Sequence, residues 1–354
     1  MKSFSIRLEH KSSRVLFPDS LHSYETLNND GGSDLKGSPS AVLIFDENTQ
    51  SLFPPTQHPR YVLPAGEQFK SSDSLLKIAE WVLSCGATRE TTFIAVGGGV
   101  VCDITAFLSS IYMRGGPLIL VPTTLLAMVD AALGGKTGID FQGYKNILGT
   151  FHPAQEIRVF PEVLQSLPKS EYLSGLGEVI KHALLRDSEL LELLQNRTHD
   201  IDRRDPKVLE EIIYRSQLAK QWYIEQDPYD QDIRGHLNLG HTFAHALESI
   251  SGFSDWSHGQ AVAWGIGRAM HLGRVLGFTS QEYADQVNAL LRMYGYRLDS
   301  MPQNAELLLS AMQRDKKKKD GQVRFILQSG HGCTSYQTAP REAVLQSLRA
   351  QNPL

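Results

Sequence analysis

Two histidines four residues apart, His241 and His245, stand in the stretch LNLGHTFAHALE, and a third, His258, follows in SHGQAVAWG. On a helix the first two share one face, one turn from each other. Their neighbours are small or apolar: Phe243, Ala244, Ala246, Leu247, Ala261, Val262 and Ala263. Imidazoles projecting from an apolar helix pair are expensive unless something binds them. Upstream, GLGEVIKHALL sets Glu178 and Lys181 three apart inside a second small-and-apolar helical pattern. One carboxylate with two histidines would leave an open position on a zinc-type divalent ion, the arrangement of a catalytic site. The same residues would also serve as hydrogen-bonded core histidines and a surface ion pair, and spacing leaves both readings open.

A second chemical signature is TTFIAVGGGVVCDITAFLSS, which reads as strand, glycine run and helix. Gly97, Gly98 and Gly99 would let backbone amides approach a phosphate at the positive end of the following helix. The run does not follow the GxGxxG dinucleotide pattern, and it would equally make a tight strand-to-helix turn. Asp103, on the first turns of that helix, suits its dipole either way. Lys136 follows Gly134 and Gly135, and Lys145 and Asn146 stand between Gly143 and Gly149.

The elements that must carry these groups alternate up to about residue 165. Residues 4–8 and 15–17 read as strands, and 28–40 as a loop rich in Gly, Asp and Ser. AVLIFD is a continuous apolar run, the mark of a strand buried on both faces. Asp46, Glu47 and Asn48 stand at its carboxyl end, where ligands bind in open α/β sheets. Residues 61–70 read as a short strand closed by Pro64 and Gly66, and residues 71–85 as a helix capped by Ser71, Ser72 or Asp73. PLILVPTT is a further buried strand ending in Thr123 and Thr124; residues 125–140 read as a helix stopped at Gly134 and Gly135. This alternation predicts a doubly wound, mostly parallel sheet. From Leu167 onward helical patterns dominate, over 172–185, 189–194, 206–226, 242–250, 259–276, 280–294 and 304–312. Only 323–327 resembles a late strand or hairpin arm. The expectation is an α/β domain over 1–167 and an all-α domain over 168–354.

Composition narrows the function classes. A chain of 354 residues with 41% hydrophobic and 21% charged residues is an ordinary globular protein of about two domains. A net charge of -4 and pI near 6.3 leave no electrostatic footprint for nucleic acid. The single basic run, residues 316–319, reads as a solvated loop. The N-terminal stretch has no apolar segment of signal-peptide type, and no window approaches the ~18 apolar residues of a membrane span. Cys85, Cys102 and Cys333 are too few and scattered for a disulfide framework. A cytoplasmic protein without membrane or nucleic-acid partners is expected.

Taken together the motifs resemble one family. GEQFK, GGGVVCD, YMRG, VPTTLLAMVD, GGKTGID, YKN, GEVIK, NLGHTFAHALE, HGQAVAWG and RDKKKKDG run in order through the chain. In that order they resemble the 3-dehydroquinate synthases of the sugar-phosphate cyclase superfamily. The resemblance implies an N-terminal α/β NAD-binding domain, an all-helical metal-binding domain and an active site in the cleft. It implies Glu178, His241 and His258 as ligands of zinc or cobalt, with His245 turned to the substrate instead. For NAD it implies Asp46, Asn48, Glu67, Lys70, Gly98, Gly99, Val100, Asp103, Thr123, Thr124, Asp130, Lys136 and Lys145. Val163, Leu164, Gln165 and Ser166 join that set. For substrate it implies Asp130, Lys136, Asn146, Lys181, Lys220, Arg234, Asn238, His245 and one of Lys316 or Lys317. Arg114 resembles the family residue that enters the neighbouring subunit's site, which implies a homodimer.

The implied substrate is a seven-carbon acid phosphate, 3-deoxy-D-arabino-heptulosonate 7-phosphate. The implied reaction is a transient oxidation by NAD, phosphate elimination, re-reduction and aldol closure to 3-dehydroquinate, with no net redox. Arg234 would offer a planar fork to the carboxylate. The sequence departs from the family at Ala131 and Ala132, where hydroxyl or small residues are usual. It departs again at Asp227, Pro228, Tyr229 and Asp230, where an acidic-Arg-acidic run is common. Lys169 and Ser170 stand where an arginine is common. Rival readings are a sister cyclase acting on a sugar phosphate without a carboxylate, a metal-dependent polyol dehydrogenase, and a non-enzymatic scaffold. Arg234 and Asn238 favour the dehydroquinate type, and the full set of lysine and metal positions disfavours a scaffold.

Overall fold

The computed structural model describes residues 2–9, 11–20, 39–53, 55–251, 256–299, 304–316 and 323–350. They form two compact units, Met1–Leu167 and Pro168–Leu354.

In the first unit, strands β1 (Lys2–Leu8) and β2 (Lys11–Phe17) pair antiparallel. Then come β3 (Ala41–Asp46), β4 (Arg60–Leu63), helix α1 (Ser72–Ser84), β5 (Thr92–Gly97), α2 (Gly99–Ile111) and β6 (Leu118–Pro122). A hairpin of β7 (Lys136–Phe141) and β8 (Tyr144–Phe151) precedes β9 (Glu156–Arg158). The main sheet has seven strands in the order β1-β2-β9-β6-β5-β3-β4, and every pairing but β1–β2 is parallel. Its central strands are apolar throughout because both faces are covered; Val42, Leu43, Ile44, Phe45, Phe93 and Val96 are fully buried. The carboxyl ends of β3, β5 and β6 bring Asp46, Gly97 and Thr123 to one edge.

The β7–β8 hairpin follows the glycine stop expected within 125–140, where no strand was expected. The helical stretch narrows to a π-helical turn, Ala127–Ala131. It stops at Gly134 and Gly135, whose φ of 88° and 70° suit glycine, and Lys136 opens a strand. The hairpin forms a sheet of its own. It is tied down by Asp140 N–H to the Lys70 carbonyl (2.8 Å) and by the Thr150 hydroxyl to Ser110 Oγ (2.7 Å).

The second unit contains α3 (Lys169–Arg186), α4 (Ser188–Asn196), α5 (Thr198–Asp202), α6 (Pro206–Gln226), α7 (His241–Ser251), α8 (His258–Val275), α9 (Gln281–Met293), α10 (Ala305–Lys316) and α11 (Arg341–Arg349). It is not all-α. An antiparallel hairpin, β10 (Arg324–Gly330) with β11 (Cys333–Thr338), interrupts the helices. Only the first arm shows an apolar run, FIL, so the partner strand CTSYQT gives no hydrophobic signal. Among the described residues no helix is long and apolar enough to cross a membrane.

The fully buried Arg268 of α8 holds three segments together. Its guanidinium donates to the carbonyls of Ser347 (3.0 Å), Ala350 (2.6 Å) and Leu298 (2.7 Å). Burial lowers its pKa to about 10. Arg268→Met leaves those carbonyls without their donor, and each unsatisfied buried group costs about 1–3 kcal/mol. The expected outcome is a clear fall in the urea midpoint of the second unit, followed by circular dichroism at 222 nm.

Candidate active site

Three helices of the second unit converge on one carboxylate. Glu178 lies in the middle of α3, fully buried. His241 opens α7 and His258 opens α8. Glu178 Oε1 is 3.4 Å from His241 Nε2 and 3.3 Å from His258 Nε2. The three donor atoms all lie within 4.8 Å of one another. Lys181, one turn along α3 and 2% exposed, presses its ammonium on Glu178 Oε2.

Glycine makes the convergence possible. A Cβ on Gly177 would stand 2.6 Å from the Gly259 carbonyl, and one on Gly259 would run into the Ser174 carbonyl. The α3 and α8 backbones therefore touch beside Glu178 and His258. Likewise a Cβ on Gly240 would lie 2.7 Å from Ile266 N, and one on Gly265 would strike the Gly240 carbonyl. Gly240 also has φ of 80°, so it turns the chain into α7 as well as admitting α8. A capping box starts α8: Ser257 Oγ accepts from Gln260 N–H at 3.4 Å, and Gln260 Oε1 accepts from Ser257 N–H at 3.2 Å. That box fixes where His258 leaves the helix.

The second nitrogens of both imidazoles are engaged. His241 Nδ1 meets the Leu239 carbonyl at 3.2 Å, and His258 Nδ1 meets Glu248 Oε1 at 3.0 Å. Each contact turns Nε2 towards Glu178, as the outer partners of metal-bound histidines do. Burial, then the Lys181 charge, drive His241 well below the usual imidazole range, so its Nε2 lone pair is open to a cation. Burial opposes a proton on His258, but hydrogen bonds to Glu178 and Glu248 push it up to about 10. Burial opposes ionisation of Glu178 too, yet Lys181 and the two imidazoles hold it well below the usual carboxylate range. An anionic oxygen and two imidazole nitrogens at this spacing fit a divalent ion of the zinc type.

His245 is exposed on α7, its ring 5.3 Å from that of His241, and it is outside this cluster. Lys220 is buried on α6. Arg234 (3% exposed) and Asn238 (exposed) belong to a 3-10 segment, Ile233–Asn238, that leads into α7. Lys316 ends α10, and Lys317 lies outside the described residues.

The first unit assembles a second group. β5 ends at Gly97 and α2 begins at Gly99, with Gly98 as its N-cap. A Cβ on Gly97 would stand 2.6 Å from Val101, whereas one on Gly99 meets nothing nearer than Ala131 at 3.6 Å. So Gly97 is required by the turn itself, a Cβ on Gly98 would press on Thr124 at 3.1 Å, and the N-terminal face of α2 has room beside Gly99. Asp103 does more than suit a dipole: Lys70 Nζ reaches its Oδ2 at 2.5 Å, while burial raises the Asp103 carboxyl. The charge of Asp130, in the π-helical turn, adds to that rise. Asp46 Oδ1 accepts from Asn48 N–H (3.0 Å) and from Thr49 Oγ1 (2.8 Å). Thr124 Oγ1 accepts from Ala127 N–H at 3.1 Å, while Thr123 is buried. Lys145 Nζ lies 3.5 Å from Glu67 Oε1. Lys136 and Asn146 are exposed on the hairpin, and the Asn146 N–H donates to Asp140 Oδ1 at 2.8 Å. Val163, Leu164, Gln165 and Ser166 form most of the 3-10 segment Pro161–Ser166. Arg114 is exposed, with φ of 71°.

Family models agree with this architecture. The 3-dehydroquinate synthase N-terminal model matches residues 60–174, and the C-terminal model matches 175–318. A 3-dehydroquinate synthase from Acidithiobacillus ferrooxidans is 40% identical over 290 residues, which are 82% of this chain and 80% of that one. The chain belongs to the 3-dehydroquinate synthase family. It is accordingly an enzyme of the lyase class. Another 3-dehydroquinate synthase, from Acaryochloris marina, is 38% identical over 311 residues, covering 87% of this chain and 83% of that one. In fold the chain is similar to the 2-epi-5-epi-valiolone synthase of Streptomyces hygroscopicus, solved with NAD+ and Zn2+ bound. The TM-score is 0.83 at 24% identity, over 97% of each chain.

Two residues with evident work here received no role from sequence. Glu248 had a readable signal, since it follows His241 by two helical turns and is a carboxylate on an apolar face. Asp227, which accepts three backbone N–H groups, sat in a stretch that read only as a departure. Glu248→Ala is expected to weaken the binding of one equivalent of divalent ion by about 10–100-fold, measured by chelator competition. Unchanged affinity would remove Glu248 from the centre. Gly259→Ala should separate α3 from α8 and lower both bound metal and melting temperature, read by elemental analysis and calorimetry.

Proposed function

We propose that this chain converts 3-deoxy-D-arabino-heptulosonate 7-phosphate to 3-dehydroquinate and inorganic phosphate, with NAD and one divalent ion, zinc or cobalt. The observation that carries the reading is the convergence of Glu178, His241 and His258, with Lys181 against the carboxylate, in a chain of this family. Held by those three residues, the ion supplies Lewis acidity towards substrate oxygens, and NAD accepts and returns a hydride. NAD lies with its pyrophosphate at Gly98, Gly99 and Val100, where amides and a helix N-terminus meet. Asp46, Asn48, Glu67, Lys70, Asp103, Thr123, Thr124, Lys145 and residues 163–166 complete its contacts.

The chain's own groups then sort by charge. Lys136, Asn146 and His245 hold the phosphate dianion, with Lys316 or Lys317 closing on it. Asp130, Lys181 and Lys220 orient the ring hydroxyls and carbonyl. Arg234 and Asn238 take the carboxylate, where a guanidinium offers two parallel donors. A sister cyclase acting on a neutral sugar phosphate has no use for that pair.

The working form is a homodimer in the cytoplasm, with Arg114 serving the neighbouring copy. Support for the dimer comes from exposed apolar residues crowded near Arg114 in the chain and along the hairpin. They are Ile111, Met113, Tyr144, Ile147, Leu148 and Phe151. A reducing compartment suits three cysteines that are all free.

With the heptulosonate phosphate, zinc and a tenth of an equivalent of NAD, phosphate release is expected to exceed the NAD present many times over, with no rise at 340 nm. NADH accumulating with turnover would instead mark a dehydrogenase. Better turnover of sedoheptulose 7-phosphate or glucose 6-phosphate would mark a sister cyclase. Arg234→Ala should lose at least about tenfold in kcat/KM, from a charge-assisted hydrogen bond of about 1.5–3 kcal/mol. Its bound metal and NAD affinity should stay unchanged. Gly99→Val should abolish NAD binding by calorimetry while the fold persists, since Gly99 has room for a Cβ.

A further inference from the structure

Arg234 sits at the end of a connection that has neither helix nor strand to hold it, between α6 and the 3-10 segment Ile233–Asn238. A single carboxylate gathers that connection. Asp227 Oδ1 accepts from Gln231 N–H at 2.9 Å. Its Oδ2 accepts from Asp232 N–H at 2.7 Å and from Arg234 N–H at 3.2 Å. The connection closes on itself where Arg234 Nη1 donates to the Pro228 carbonyl at 2.7 Å.

A second restraint comes from far along the chain. Tyr336 of β11 donates its hydroxyl to the Asp232 carbonyl at 2.8 Å. Its ring lies 5.2 Å from the His236 ring, and the Arg324 guanidinium stands over it at 4.9 Å. Gly235 passes so close that a Cβ there would run into Tyr336 Oη. The backbone before Arg234 is thus pinned by Asp227 and by the Tyr336 hydroxyl on Asp232, and after it Gly235 and His236 pack against the Tyr336 side chain.

We propose that Asp227 and Tyr336 are positioning residues that aim the Arg234 guanidinium at the substrate carboxylate, so that preference for an acid phosphate depends on this clamp as well as on Arg234. The inference rests on the role given to Arg234 above. Neither residue touches substrate. A planar fork is useful only when both donors face both acceptor oxygens, and a shift of about 1 Å in a positioning group can cost about a hundredfold. The clamp stands where the chain departs from the family's acidic-Arg-acidic run.

The test compares kcat and KM for the heptulosonate phosphate in the full-length enzyme, loaded with zinc and NAD. The variants are Arg234→Ala, Asp227→Ala, Asp227→Asn, Tyr336→Phe, and each of Asp227→Ala and Tyr336→Phe combined with Arg234→Ala. Asp227→Ala is expected to raise KM about tenfold or more, with bound zinc and NAD affinity unchanged. Asp227→Asn keeps an acceptor oxygen and should recover much of the loss, and Tyr336→Phe should raise KM severalfold. The deciding readout is coupling: with Arg234 already removed, neither second change should cost anything further. If the double variants instead lose the product of the single effects, the residues serve general structure and the inference falls. It falls alone if Arg234→Ala is costly while Asp227→Ala and Tyr336→Phe are not. If Arg234→Ala is itself harmless, the carboxylate reading fails and takes the inference with it. Should Asp227→Ala prove unstable, the Tyr336→Phe cycle decides, since it removes one hydroxyl and keeps the ring.

Discussion

Everything at the Glu178, His241 and His258 cluster depends on how closely three helix backbones can approach. Ordinary helix pairs stand 8–10 Å apart because side chains separate them. At Gly177 against Gly259, and at Gly240 against Gly265, there is nothing between the main chains to separate. Short side chains can then meet. A glutamate on α3 reaches imidazoles at the first positions of α7 and α8 without any loop intervening. The rigidity is useful chemically, because a site built on helices is set by packed backbone and not by a mobile connection.

That packing confines charge as well as atoms. Glu178 and Lys181 form an ion pair that is almost wholly removed from water. Such pairs rarely stabilise a fold on balance, since desolvating two ions offsets their attraction. The cost makes sense as preparation. A buried carboxylate kept ionised by a fixed ammonium is a strong anchor for a divalent cation, and the ammonium stays beside whatever that cation binds. The first unit repeats the pattern with Lys70 and Asp103, and there burial raises the carboxyl despite the lysine.

The parallel sheet was legible because strands covered on both faces must be apolar along their whole length, as AVLIFD and LILVP are. Long amphipathic helices such as α6 were legible for the corresponding reason. The β7–β8 hairpin was not, because β8 is exposed along nearly its whole length and β7, KTGIDF, buries Thr137, Gly138 and Ile139 with only one large apolar side chain among them. β11 was hidden likewise behind threonine, serine and glutamine. At the site, residue type and order pointed to Glu178, His241 and His258 through family likeness; spacing alone put His241 with His245. What sequence could not supply was contact across long separations, such as Tyr336 meeting Asp232 or Gly259 meeting Ser174. Those meetings are properties of the packed unit and leave no local mark.

The staple made by Arg268 has a consequence for the order of assembly. The helix that begins with His258 is covered along one side by residues 341–350, through the Ser347 and Ala350 carbonyls that Arg268 reaches. During synthesis the first unit has its whole sheet once residue 167 has emerged, so it can organise while the rest is still being made. α8 has no such freedom. It is translated well before α11, yet its guanidinium must wait, charged and without its carbonyls, until that last helix arrives. The contacts that close this side of α8 therefore form late on the nascent chain, and a ribosome that stalls before residue 341 leaves Arg268 without two of its three carbonyls.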